Sequence, residues 1–306
     1  MRTAPLLLEV KGNALDDGPG IRSVVFFKGC PLSCKWCHNP ESVLRQVEIS
    51  FDKTQCVGAR ECIDICPESA LSNDNPLFVD RSKCTLCFKC VEACPSAALS
   101  RVGEELSVAE IFRKLMKYKA FYDSSGGGVT LSGGEPTMHM EYASELLRRL
   151  KAEGVHTLLQ TCGLFPYDSF IELLYPHLDL IYFDLKIFDR EIHLAHCGAR
   201  NDTIKENFSK LQEKYLQGGV EILARTPLVP GMTSDTGNLA AIAGFLKERQ
   251  VTRAQLMGYN PLWQEKRERL GYPCNSRDGN SLQNWMSRQE LERCEAIYAA
   301  NGLRLV

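Results

Sequence analysis

Apolar residues recur at helical spacing along most of the chain beyond about residue 105. Ile111, Leu115 and Tyr118 share a helix face, as do Ala143, Leu146, Leu147 and Leu150, then Ile204, Phe208, Leu211 and Tyr215, then Leu239, Ile242, Phe245 and Leu246. Between these stripes lie short β-rich segments at 129–131, 156–160, 180–183, 220–224 and 254–257, with 23–27 ahead of them. Strand and helix in alternation predict an α/β fold with a parallel sheet. About six β/α units predict a partial (β/α)6 barrel, in which the stripes are core rather than binding surface.

Chemistry in such a barrel gathers where strands end, and here the residues at those ends are polar. The first strand runs into Cys30, the next into S-G-G-E-P, the third into Gln160 and Thr161, the fourth into Asp184 and Lys186, and the fifth into Arg225. Thiolates, a glycine pair, a carboxylate, an ammonium and a guanidinium are thus expected around one opening.

The chain has 306 residues, room for one large or two moderate domains, and 44% hydrophobic against 24% charged residues predicts a sizeable globular core. A net charge of -2 argues against nucleic acid as a partner. No apolar run reaches the roughly 18 residues of a membrane span, and Glu9 interrupts the first apolar stretch too early for a signal peptide. A cytoplasmic protein with no membrane partner is expected.

Fourteen cysteines change the picture, because ten of them lie between Cys30 and Cys94. That clustering points to metal ligation rather than to a secreted disulfide framework. Cys162, Cys197, Cys274 and Cys294 are dispersed and are expected to be small buried thiols, with Cys162 the best candidate for a further role because it follows Thr161.

Cys30, Cys34 and Cys37 form C-x3-C-x2-C, three thiolates without an obvious fourth. Four thiolates are usual for a 4Fe-4S cluster, so three suggest an iron left open for another ligand. On spacing alone a structural zinc completed by His38, or a redox pair, competes with this reading.

Residues 48–101 read as a ferredoxin-like insert in a domain made of 1–47 and 102–306. Cys84, Cys87, Cys90 and Cys94 match C-x2-C-x2-C-x3-C-P. In two-cluster ferredoxins the fourth cysteine of each run serves the other cluster, so Cys66 is expected to complete Cys84, Cys87 and Cys90. The earlier run has Ala59 in place of its second cysteine, which leaves Cys56, Cys62 and Cys94. These three suit a 3Fe-4S cluster, or a 4Fe-4S cluster with a non-cysteine ligand.

With Trp36 before the last cysteine of the first motif and G-G-E-P at 133–136, the chain resembles the radical S-adenosylmethionine (SAM) superfamily. More narrowly, it resembles the glycyl-radical-enzyme activating enzymes. That likeness is carried by D-G-P-G-I-R at 17–22, F-F-K-G-C, C-H-N-P-E-S, F-Y-D-S-S-G-G-G-V-T-L-S-G-G-E-P, D-L-K at 184–186 and R-T-P-L-V-P-G at 225–231, and the insert matches the branch with two extra clusters.

The resemblance implies that SAM chelates the open iron, which displaces zinc as the explanation. It also implies that a 5'-deoxyadenosyl radical abstracts hydrogen from a glycine of a partner enzyme. Trp36, Gly133, Gly134, Glu135, Thr161, Asp184, Lys186, Arg225 and Asn260 would then surround the cofactor, with Lys186 beside the three cysteines in the catalytic set. Asp17, Gly18, Gly20 and Arg22 would receive the partner's glycine loop. The insert would relay electrons from an external donor such as flavodoxin or ferredoxin, or help to dock the partner. Gln160 and Asn260 depart from the acidic residue and the His common in relatives. The alternatives are an iron-sulfur electron-transfer protein and a radical SAM enzyme acting on another substrate. The charge-rich stretch 263–286 is expected to be a surface excursion before the last helix.

Overall fold

The computed structural model describes residues 4–272 and 282–306, so the stretch 263–286 is covered only in part and Cys274 lies outside the described residues. In chain order the elements are β1 (Leu6–Ala14), β2 (Arg22–Phe27), β3 (Glu48–Phe51), α1 (Glu61–Asp64), α2 (Lys89–Glu92), β4 (Leu99–Val102), β5 (Glu104–Glu105), α3 (Val108–Met116) and α4 (Lys119–Ser125). There follow β6 (Gly128–Gly133), α5 (Met140–Ala152), β7 (His156–Thr161), α6 (Tyr167–Leu173), β8 (Leu180–Asp184), α7 (Arg190–Cys197) and α8 (Asp202–Leu216). The chain continues through β9 (Glu221–Pro227), α9 (Thr236–Glu248), β10 (Arg253–Met257), α10 (Trp263–Arg269), α11 (Arg288–Ala300) and β11 (Arg304–Leu305).

One sheet runs in the order β11-β10-β9-β8-β7-β6-β2-β1-β5. From β2 to β11 every neighbouring pair is parallel, whereas β1 pairs antiparallel with β2 and β5 with β1. The expected six strands are all present, and β1, β5 and β11 are additions. β5 and β11 are too short for a pattern to reveal. β1 alternates buried and accessible positions, as an outer strand does, and its register shifts between Leu7 and Glu9 and between Lys11 and Ala14 blur its period.

The two sheet faces differ because side chains alternate along a strand. Val25, Phe27, Val129, Leu131, Leu159, Ile181 and Phe183 pack under helices that present Ile111, Leu115, Leu146, Leu147, Phe208 and Leu246. Truncating one such leucine costs about 2 to 5 kcal/mol, so this layer fixes the sheet. On the other face Leu158, Leu180, Tyr182 and Leu223 form a small cluster of their own. Two residues further along the same strands stand Gln160, Asp184 and Arg225, so this face turns polar toward its C-terminal edge. Among the described residues no helix is long and apolar enough to cross a membrane.

Between β2 and β5 the chain leaves the sheet. β3 pairs antiparallel with β4, with Phe51 opposite Leu99. A separate core of Ile49, Leu71, Phe78, Val79, Cys90 and Leu99 lies beneath, with Phe51 stacked on Phe78 at 4.2 Å. Buried Lys28 ties this segment to the sheet by an ion pair with Glu48 at 2.5 Å, and Tyr272 donates to the same carboxylate at 2.7 Å. Arg269 reaches Asp52 at 3.1 Å.

Candidate active site

The segment after β2 carries Cys30, Cys34 and Cys37, and it is pinned on two sides. The Gly29 and Cys30 amides donate to the carbonyls of Ser42 and Val43, and the Ser33 and Lys35 amides donate to those of Cys197 and His196 at the end of α7. α7 stops at Gly198, whose φ of +80° suits glycine and whose added Cβ would lie 2.1 Å from Ser33 Oγ. A bulkier residue there would push the cysteine loop away.

Gly133 and Gly134 bring the end of β6 against the same loop. The Gly134 amide donates to Phe27 O and the Glu135 amide to Gly29 O, both at 2.8 Å. A Cβ at Gly134 would lie 2.2 Å from Gly29 O, and at Gly133, where φ is +103°, 2.4 Å from Phe27 N. The glycine pair is therefore required first for backbone packing beside Cys30.

Glu135 is fully buried and spends its carboxylate internally. Oε1 accepts from the Thr137 amide and hydroxyl, Thr161 Oγ1 lies 3.0 Å from both oxygens, and the Cys162 amide donates to Oε2 at 2.7 Å. The Glu135 and Thr161 side chains thus join the ends of β6 and β7 to one another. Beside them Asp184 clamps two cations: Oδ2 takes Lys186 at 2.8 Å, and Oδ1 takes Arg225 Nη2 at 2.9 Å and Nε at 3.1 Å. Burial opposes the charge on Asp184, yet the two cations hold its carboxyl below the usual range. Burial likewise opposes the Lys186 ammonium, and Asp184 outweighs it to raise the pKa. Arg225 also lies over the Tyr182 ring at 4.8 Å, within β9 rather than beyond its end.

Cys30, Cys34 and Cys37 stand within electrostatic reach of one another, and the charge of Lys186 reaches Cys30 and Cys34. Desolvation pushes the Cys37 thiol up to about 12, so a nearby cation is what would keep it a thiolate at neutral pH. Among the described residues, no three His, Cys, Asp or Glu side chains gather tightly enough to share one ion. Three thiols on one short loop are a donor set that suits an iron-sulfur cluster, whose irons separate its ligands. Trp36 is buried in the apolar group with Leu32, Ile187, Val229, Tyr259 and Trp263, against which Cys30 and Cys34 pack.

Two further thiols enter this site. Buried Cys162 lies close enough to Cys30, and buried Cys197 to Cys34, for each thiol to influence the ionisation of its neighbour. Cys162 was legible through its neighbour Thr161. Cys197 carried no signal, because only the packing of α7 brings it near. Cys294 is buried elsewhere, in the main core.

Asn260 lies on the other flank, its carbonyl 3.2 Å from His38 Nε2 and its side-chain oxygen accepting from the Leu262 amide. The Asp17 carboxylate accepts from Gln160 Nε2 at 3.2 Å, and Gln160 Oε1 accepts from Ser132 at 2.6 Å, so the glycine turn reaches the polar strand ends. Arg22 does not face the opening. It is fully buried near the strand starts and donates to Thr130 Oγ1, Pro19 O and Val129 O. Gly18 and Gly20 both have positive φ, and a Cβ at Gly20 would strike the Gly127 backbone at 2.5 Å.

In the segment 48–102, burial and then Cys84, Cys66 and Cys87 push the Cys90 thiol up to about 11, so these four stand together. Cys62 is raised by burial and then by Cys94 and Cys56, which form the other group.

The family model for the radical SAM superfamily matches residues 24–241. An isethionate sulfite-lyase activating enzyme of Desulfovibrio desulfuricans is 38% identical over 87% of this chain and 86% of its own length. A trans-4-hydroxy-L-proline dehydratase activating enzyme of Clostridioides difficile is 36% identical over 97% of each. Among solved structures, Streptococcus suis SuiB bound to the precursor peptide SuiA shares the fold at a TM-score of 0.52 and 14% identity, over 90% of this chain and 45% of that one.

Proposed function

Because the chain belongs to the radical SAM superfamily, among the activating enzymes of glycyl radical enzymes, we propose that it cleaves SAM reductively and makes a glycyl radical on a partner enzyme. The observation that carries this reading is one meeting place. Cys30, Cys34 and Cys37, the Gly133–Gly134 backbone and the Lys186–Asp184–Arg225 group converge at the C-terminal edge of a parallel sheet. When bound and reduced by one electron, the cluster and SAM would supply methionine and a 5'-deoxyadenosyl radical able to take a glycine hydrogen atom and end as 5'-deoxyadenosine.

The residues of the chain bind, orient and exclude water. Cys30, Cys34 and Cys37 would hold a 4Fe-4S cluster with one position left to SAM. Trp36 and its apolar neighbours cover that side. The Gly133–Gly134 segment offers its backbone to the methionine ammonium, while Glu135 and Thr161 act by fixing that segment. Lys186 and Arg225 present cations to the carboxylate and ribose, and Asp184 holds both in place. Asn260 borders the ribose. Asp17, Gly18 and Gly20 receive the partner's glycine loop, and Arg22 supports that turn from beneath.

The parallel sheet is read as a partial (β/α)6 barrel formed by 1–47 and 102–306. The segment 48–101 is a ferredoxin-like insert with one 4Fe-4S cluster on Cys66, Cys84, Cys87 and Cys90 and a second cluster on Cys56, Cys62 and Cys94. It passes electrons from a cytoplasmic flavodoxin or ferredoxin. Anaerobic reconstitution, reduction and addition of SAM test the whole reading. Release of 5'-deoxyadenosine is expected, and none from a fully iron-loaded, reduced protein would leave an electron carrier as the better account.

A further inference from the structure

The segment 48–102 is built twice, with equivalent positions spaced as Cys56 is from Cys84. Asp52 and Asp80 open the two halves alike: each accepts at Oδ1 from the amide two residues on, at 2.9 and 3.0 Å, and each donates its own amide across to the other half, Asp52 to Ala98 O and Asp80 to Ala70 O, both at 2.7 Å. α1 and α2 occupy equivalent places, and each N-cap is left-handed. Positive φ recurs at matching residues: Gly58 and Leu86 at +73° and +56°, Arg60 and Phe88 at +72° and +58°, Ser69 and Ala97 at +47° and +55°. Non-glycine residues avoid this region, so the match is not chance flexibility.

In this repeat Ala59 is the counterpart of Cys87. The loop around it keeps the unusual backbone of its cysteine-bearing twin, and a methyl group stands where a thiol would begin. A small cavity of about 30 Å³ lies there, lined by Cys56, Ala59, Cys62, Cys94, Asn73 and Phe78 among others. Among the described residues lining it, Glu61 is the carboxylate, and it adjoins Cys62 on α1. Successive helix residues point about 100° apart, so Glu61 does not share the direction of Cys62. Arg60 and Glu61 balance one another in charge on the rim, and Arg60 is the group there that could pair with an anion.

We infer that the cluster on Cys56, Cys62 and Cys94 has an iron without a protein ligand, and that its open position beside Ala59 takes a small anionic ligand from solvent, such as cyanide or a thiolate. This rests on the reading of the segment as a cluster carrier. Losing a thiolate also makes the cluster less negative, which raises its reduction potential relative to a four-thiolate state.

The probe is 13C-cyanide, read by EPR on reduced, reconstituted full-length protein whose first site has been saturated with SAM. Wild type, Ala59→Cys and Cys62→Ala are compared, with iron content and 5'-deoxyadenosine measured on the same samples. The inference expects a shifted spectrum with 13C hyperfine splitting in wild type and loss of both in Ala59→Cys, together with a more negative insert potential. Cys62→Ala should lose the cyanide response and part of the iron. A wild-type spectrum indifferent to cyanide, a trinuclear signal that cyanide does not alter, or an iron content that Cys62→Ala leaves unchanged would overturn it. Such a failure with deoxyadenosine release intact would leave the proposed function standing, because that release reports the first site alone.

Discussion

Two cysteine motifs in this molecule each supply three thiols where a four-thiolate set would have four, and they differ in what surrounds them. Around Cys30, Cys34 and Cys37 are buried Trp36, a glycine pair pressed against Gly29, and two cations clamped by one carboxylate. Around Cys56, Cys62 and Cys94 are Ala59, exposed loop residues and a cavity with no comparable constellation among the described residues. An open coordination position becomes a reaction site only when its surroundings orient what binds there, and the first place alone has them. The second is a cysteine loop with alanine at the place of its twin's Cys87, on a backbone otherwise kept.

The sharpest test is to break each site singly. Cys34→Ala is expected to reduce 5'-deoxyadenosine formation to background while the insert keeps its iron. Cys62→Ala is expected to retain deoxyadenosine formation with a strong chemical reductant. Equal loss of product in both, measured by chromatography at matched protein, would erase the distinction.

Next in size is the charge group that sets the first site apart. Asp184→Asn leaves Lys186 and Arg225 facing one another at a largely buried position without their counter-charge. A loss of about 3 kcal/mol is expected. It would be read as a lower midpoint in anaerobic chemical denaturation, along with weaker SAM binding. A change below about 1 kcal/mol would mean that water already screens the pair.

The smallest expected effect concerns the joint between the regions. Arg269 is partly exposed where it meets Asp52, so Arg269→Ala should cost no more than about 1 kcal/mol. Deoxyadenosine formation with a chemical reductant should be unchanged. A large fall there would show that the orientation of segment 48–102 controls the first site directly.

Much of this was legible beforehand for physical reasons. The stripes through Ile111, Leu146, Phe208 and Leu246 pointed to helices because a buried face must recur with the helical period, and all four lie in the main core. The cysteine spacings pointed to clusters because a short loop confines where thiols can go. β1 was not foreseen, since an edge strand with two register shifts has no steady period. Arg22 was a candidate for contact with a partner because the resemblance of D-G-P-G-I-R implied it, and the structure places it fully buried, donating to Thr130 and Val129. Glu135 and Thr161 were placed at the right strand ends, but sequence could not say that they would bond to each other.

Sequence by itself determined the alternating elements, the family likeness, the three-thiol motif and the absence of a cysteine at Ala59, because each depends on residue type and short-range spacing. Only the tertiary structure decided that Cys162 and Cys197 meet Cys30 and Cys34, that Asp184 clamps both cations, and that the loop at Ala59 keeps its twin's conformation around a cavity. Those are contacts between distant segments. They depend on how the sheet and helices pack, and no local pattern encodes them.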